Sequence, residues 1–183
     1  PPDAFVFVSF GNIRTYKGHD DLLAAFARLP GDHLRMVVAG ARHASYAGAL
    51  AAATPSDPRV IFSEGQVPID QLQVYFNAGD VAVFPYRDAL TSGALITALG
   101  FGKPVISTRV GCIPETVNDP LIGALVPPGD VAAFAAAMRG AAAGRRATRL
   151  GHDRPADPGG VRTYAHRTAA GIGALGRPLN RAT

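Results

Sequence analysis

The chain has 183 residues, 48% of them hydrophobic, enough for one good core and about one domain. Its formal charge of +4 is no nucleic-acid signature: residues 139–183 hold nine arginines against two aspartates, while the rest holds nine basic residues against twelve acidic ones. The lone Cys112 excludes an internal disulfide and suits a reducing cytoplasm, and no apolar run or leader pattern predicts a span, so any membrane contact is expected to be peripheral, at the inner face, through the basic tail.

In chain order, Ala4–Phe10 (AFVFVSF) predicts a strand, and Asp20–Leu29 carries apolar residues at helical spacing until Pro30. Leu34–Ala39 (LRMVVA) predicts the next strand, and His43–Ala53 an alanine-rich helix. Val60–Phe62 reads as a short strand, Asp70–Ala78 as a helix and Val81–Phe84 as a buried strand. Ser92–Phe101 then predicts a helix, Pro104–Ser107 a strand and Val131–Met138 a further helix. Apolar strands separated by helices predict a doubly wound parallel sheet with helices on both faces. From about Gly140 the pattern gives way to an Arg, Gly and Pro-rich stretch. Residues 1–140 are therefore expected to form the folded domain, and 141–183 a linker and basic tail with a last helix around Val161–Ala174.

In such sheets ligands bind beyond the carboxyl ends of the strands, so three loops matter. In GNIRTYKG, Gly11 lets the backbone turn closely, while Arg14 and Lys17 stand beside a helix start and suit an anion, especially a diphosphate. Taken alone, two solvated loop cations explain this loop equally well. In the second loop Thr91, Ser92 and Gly93 open a helix, where hydroxyls either cap the helix or bind an oxyanion. Glu115, in STRVGCIPETV, is either an N-terminal helix charge or a ligand. The five histidines show no metal spacing, and no P-loop sequence is present.

The loops in series are more specific than any one of them. GNIRTYKG, VVAG, LQVYFNAGDVAVFPY, SG followed by GKPVISTRVGCIPE, and GALVPPGD occur in that order between Phe5 and Met138. The series resembles the C-terminal, donor-binding half of retaining GT-B glycosyltransferases, group 1 or family 4, enzymes of polysaccharide and glycoconjugate biosynthesis. The resemblance implies a Rossmann-like half of a GT-B fold that binds a nucleotide-diphosphate sugar, with Gly11, Arg14, Lys17, Thr91, Ser92 and Gly93 at the diphosphate. It places Gln66, Val67 and Thr97 on the ribose and base side, and Asp88 and Glu115 as candidates on the sugar side. No metal or other cofactor is implied, because the two cations would take the metal's role.

The departures from the family pattern are specific. Many members carry two glutamates eight residues apart before the G-x-P-V-I segment, and those places here hold Ala89 and Thr97; Asn12 stands where an arginine is commoner. The half that would hold the acceptor is expected on a missing N-terminal segment or another chain, so this chain alone is expected to bind a donor without transferring it. A non-catalytic nucleotide-binding or pairing module of the same shape, and a sugar-nucleotide epimerase, are the alternatives. The sugar, base and acceptor are not specified by these motifs.

Overall fold

Alternation along the strands sets the layers. In a computed structural model describing residues 3–46 and 57–150, β1 (Phe5–Phe10), β2 (Leu34–Gly40), β3 (Val60–Glu64), β4 (Val81–Phe84), β5 (Val105–Thr108) and β6 (Gly123–Val126) form one parallel sheet. The strand order is β3-β2-β1-β4-β5-β6. The helices are α1 (His19–Ala27), α2 (Leu72–Ala78), α3 (Gly93–Gly100), α4 (Ile113–Thr116) and α5 (Val131–Leu150).

Successive side chains leave a strand on opposite faces. Met36 and Val38 join Phe7 beneath α1 and α5, packing with Leu22, Phe26, Phe134 and Met138. Val37 and Ala39 join Val8 on the other face, with Tyr75 and Phe76 of α2 and Leu95 and Ala98 of α3. Both faces are thus covered, so nearly every strand position has to be apolar, which is why these strands read as unbroken apolar runs. The architecture is the Rossmann-like doubly wound sheet expected.

The strand order also locates the crevice. From the centre the chain winds through β1, β2 and β3 in one direction, then returns and winds through β4, β5 and β6 in the other. The loops leaving β1 and β4 therefore diverge from adjacent strands, paired as Phe7 with Val81 and Val8 with Ala82. A crevice opens between loops that part in this way at the carboxyl edge. Gly18 brings its two sides together. It caps α1 at φ +66°, and a Cβ there would collide with the carbonyl oxygen of Pro85, the first residue after β4. Asp20 and Asp21 follow in the first turn of α1, where negative charge complements the helix dipole.

Three elements differ from the sequence reading. β6 is a strand that the pattern does not reveal, because only four residues, starting at Gly123, stand between Ile122 and the Pro127-Pro128 pair; its pairing to β5, not its composition, makes it a strand. α5 does not end at Met138 but runs to Leu150. Gly140 and Gly144 each cost about 1 kcal/mol relative to alanine, and burial of Phe134, Ala135, Met138 and Ala142 offsets that cost. The strand at 60 extends to Glu64 by pairing Ser63 and Glu64 with Ala39 and Gly40. Of the helix expected over His43–Ala53, only a 3-10 turn at Ala44–Tyr46 is described, and the last helix at Val161–Ala174 lies outside the described residues.

Candidate functional site

One wall of the crevice is the loop after β1. Its backbone continues the pairing with β2 past the strand end: the Gly11 amide donates to the Ala39 carbonyl at 2.9 Å and the Ile13 amide to the Ala41 carbonyl at 2.8 Å. Ile13, 1% exposed, is sunk into the core and anchors the loop, so Arg14 is displayed next to it at the mouth of a 3-10 turn over Thr15–Lys17. That turn directs the Lys17 ammonium back over Gly11. A Cβ at Gly11 would lie 3.1 Å from Lys17 Nζ and 3.6 Å from the Cβ of Ala94, in the first turn of α3. Gly11, at φ +113°, thus leaves open one spot flanked by the lysine on one side and α3 on the other.

The second wall is the start of α3. Ser92 caps it, its Oγ accepting from the Leu95 amide at 3.1 Å. The amides of Gly93 and Ala94, at the first two helical positions, have no partner within the helix and face outward at its positive end. Tyr86, 3% exposed, reaches Ser92 Oγ with its hydroxyl at 2.6 Å, and burial pushes its pKa up to about 12. The Thr108 hydroxyl donates to the Tyr86 carbonyl at 2.6 Å, tying this wall to β5. A third loop braces it, since the Cys112 amide donates to the Leu90 carbonyl at 2.8 Å.

The walls are joined by charge. Arg87 grips Asp21 of α1 through two parallel bonds, at 2.7 and 2.8 Å, while its amide donates to the Tyr16 carbonyl at 2.8 Å. A fork-to-carboxylate pair of this kind fixes orientation as well as position. Arg42 with Glu64 and Arg59 with Asp57 are likewise paired, at 2.9 and 2.8 Å. Arg14 and Lys17 differ from these: among the described residues neither has an ion pair. Lys17 is half-buried, and its pKa is lowered first by burial and then by the charge of Arg14. Two cations held together and partly out of water repel each other, and an anion between them relieves that repulsion. Behind them His19 is 3% exposed and its Nδ1 has no hydrogen-bond partner among the described residues; burial, and then the Lys17 charge, lower its pKa to about 4, so the imidazole is neutral.

The structure therefore places Gly11, Arg14 and Lys17 on one wall of one crevice and Thr91, Ser92 and Gly93 on the other. Asp88 is exposed beside them, its amide 3.4 Å from the Tyr16 carbonyl. Thr97 lies one turn into α3, and its hydroxyl donates back to the Gly93 carbonyl at 2.8 Å, leaving only acceptor capacity for a ligand. Gln66 and Val67 follow β3, at the sheet margin; Gln66 is exposed, whereas Val67 packs against the core beneath α2. Glu115 is exposed on α4, after β5. Tyr86, His19 and the Asp21–Arg87 pair escape sequence reasoning, because each acquires its meaning from a partner that only folding brings near. The PYR triplet directly after β4 was the one local signal for Tyr86 and Arg87. Among the described residues no group of three or more metal-ligating side chains gathers, and no helix is long and apolar enough to cross a membrane.

Known proteins share this fold. Sucrose-phosphate synthase from Thermosynechococcus elongatus superposes with a TM-score of 0.69 at 30% identity, over 78% of this chain and 37% of that one. The Anabaena protein HepE, in complex with UDP-glucose, superposes with a TM-score of 0.62 at 20% identity, over 78% of this chain and 45% of that one, a likeness of fold. The D-inositol 3-phosphate glycosyltransferase of Mycobacterium marinum is 32% identical over 145 residues, 76% of this chain and 30% of that protein. The chain thus spans about a third of the length of such curated relatives. A family model described as Glycosyl transferases group 1 matches residues 4–143, and the chain belongs to that family.

Proposed function

We propose that this domain binds the nucleoside diphosphate of a sugar donor and, together with an acceptor-holding half, serves retaining transfer of the glycosyl group. The observation that carries this reading is the pair Arg14 and Lys17, without an ion pair among the described residues, with the Lys17 ammonium facing the start of α3 across Gly11. A diphosphate brings the negative charge that both walls suit: the ammonium and guanidinium on one side, the Gly93 and Ala94 amides and the Ser92 hydroxyl on the other. As the glycosidic bond breaks, charge grows on the leaving diphosphate, and donors already fixed by the fold stabilise it without reorganising. No metal is needed in this scheme, since the two cations supply the countercharge. That HepE carries UDP-glucose in the same fold supports a nucleotide-sugar donor.

Asp88 beside the crevice and Glu115 on α4 are the carboxylates nearest a sugar-facing role, Thr97 accepts from a ribose hydroxyl, and Gln66 lies toward the base, with Val67 shaping the loop that carries it. The acceptor, and the half that holds it, are supplied from beyond this chain. A non-catalytic nucleotide-binding module draws on one specific observation, the engaged Thr97 hydroxyl where many members carry a glutamate. Both readings share the same diphosphate site.

The test is calorimetric titration of the chain and of Lys17→Ala with UDP, GDP and ADP and the matching nucleosides. Loss of one charge-assisted contact is expected to weaken the diphosphate by about 1.5 to 3 kcal/mol, or roughly ten- to a hundred-fold, with the nucleoside unchanged. Equal losses for both ligands would assign the loop to the fold alone. The isolated chain is expected to bind without transferring sugar, and efficient transfer to an added acceptor would overturn the division of labour between halves.

A further inference from the structure

Tyr86 is buried and carries no charge, yet the hydrogen-bond inventory around it fixes where a proton goes. Its side chain is buried beside Phe84, ring centroids 5.8 Å apart, and among the described residues the only partner of its hydroxyl is Ser92 Oγ, at 2.6 Å. A buried hydroxyl needs an acceptor for its proton. Were Ser92 to donate to Tyr86, the tyrosine proton would be left inside the fold without one. The arrangement that satisfies both groups therefore has Tyr86 donating to Ser92. Ser92 Oγ also accepts from the Leu95 amide at 3.1 Å. A hydroxyl oxygen has two lone pairs, and both are now occupied. The serine proton is left pointing away from both donors, at the start of α3, where the Gly93 and Ala94 amides are not paired within the helix.

We infer that Tyr86 is a positioning residue, which holds Ser92 as an oriented hydrogen-bond donor to the anion in the crevice. This rests on the reading of the crevice as a diphosphate site. Donation by Tyr86 also polarises the serine hydroxyl and makes it the stronger donor. A serine whose only role is to cap α3 would not need that second bond, since the Leu95 amide already satisfies the cap.

The experiment uses the whole 183-residue chain and titrates it with UDP, GDP and ADP and with uridine, guanosine and adenosine. The variants are Tyr86→Phe, Ser92→Ala, Ser92→Thr, the double variant Tyr86→Phe/Ser92→Ala, and Lys17→Ala as the reference for the site. Tyr86→Phe is expected to weaken the diphosphate about three- to ten-fold and leave the nucleoside unchanged. Ser92→Ala is expected to weaken it at least as much. Ser92→Thr, which keeps the hydroxyl, retains the preference. In the double variant the tyrosine change adds nothing, because there is no serine proton left to orient. Additive losses, or a Tyr86→Phe chain that binds as tightly as the parent while Lys17→Ala weakens the diphosphate, would overturn the role of Tyr86 and leave the diphosphate site standing. A parent chain without preference for the diphosphate, and indifferent to Lys17→Ala, would overturn the site itself and the inference with it. Should Tyr86→Phe fail to fold, the contrast of Ser92→Ala with Ser92→Thr decides: equal diphosphate binding by both would show that no serine proton is donated and end the proposal.

Discussion

The two edges of the sheet are built from the same strands yet offer opposite chemistry. At the amino edge a cavity of about 490 Å³ is lined by the strand beginnings, with Phe5, Val81, Val105 and Ala124, and by Ala137, Gly140 and Ala141 of α5. Its one ionisable side chain, Asp80, accepts from the Val6 amide at 2.8 Å. At the carboxyl edge the crevice presents two cations without an ion pair among the described residues, a helix start and a serine hydrogen-bonded to a buried tyrosine. The apolar hollow is therefore the poorer place for chemistry. Volume follows from how α5 lies on the strand beginnings, whereas charge and free amides follow from where the chain turns after β1 and β4.

If that division is right, substitutions at the two edges separate cleanly. Phe5→Ala, at the amino edge, removes a ring that packs 4.9 Å from Phe7, centroid to centroid, and is expected to cost about 3 to 5 kcal/mol of stability. Denaturant titration reads that loss, and diphosphate affinity of the folded chain should be unaltered; a parallel loss of affinity would mean that the edges are coupled.

His19 sharpens the comparison at the boundary between core and crevice. Its pKa falls from 6.5 in the unfolded chain to about 4 in the fold, so the unfolded state binds more protons between those values. Stability should therefore fall as pH drops from about 6.5 toward 4, by up to ~3 kcal/mol from this residue. The difference in melting temperature between the chain and His19→Phe, followed across that window, checks it. A difference independent of pH would show that the imidazole is not held neutral.

Lys17→Ala comes next, at roughly 1.5 to 3 kcal/mol of diphosphate binding and almost nothing in stability, the reverse of Phe5→Ala. The pH dependence of that binding carries a sign. Burial and Arg14 lower the Lys17 pKa beneath its usual 10.5, so the ammonium is lost at lower pH than for an ordinary lysine. Diphosphate affinity should accordingly decline on the alkaline side before free lysine titrates, and the decline should vanish in Lys17→Arg. An affinity flat with pH in the parent chain would remove Lys17 from the site. The smallest effect is expected at Arg87→Lys, which breaks the fork on Asp21. The pair is partly solvent-exposed, so about 0.5 to 1 kcal/mol of stability is expected, with the diphosphate slightly weakened as the two walls loosen.

How much of this was legible beforehand depends on the range of the interaction. Arg14 and Lys17 were legible because they lie within seven residues of the glycine that ends β1, so a single loop carries the signal. Ser92 and Gly93 were legible as a helix start for the same local reason. Asp21 and Arg87 are 66 residues apart, and nothing in either neighbourhood marks one as the partner of the other. Thr97 read as a substitute ribose ligand, but its proton is taken by the carbonyl one turn back, a competition that a motif comparison does not weigh.

The sequence by itself determined the alternation of apolar strands and amphipathic helices, and with it a parallel sheet covered on both faces, because side-chain periodicity is a property of neighbouring residues. It also determined which loops carry cations and which carry a helix start. The tertiary structure alone decided that β1 and β4 lie side by side and so open the crevice between their loops, that β6 is a strand, and that α5 continues to Leu150. It alone decided that Tyr86 meets Ser92 and that His19 is buried behind Lys17. The physical reason is the same in each case: burial and hydrogen-bond satisfaction depend on which distant segments share a volume, and that is settled only when the sheet closes its two cores.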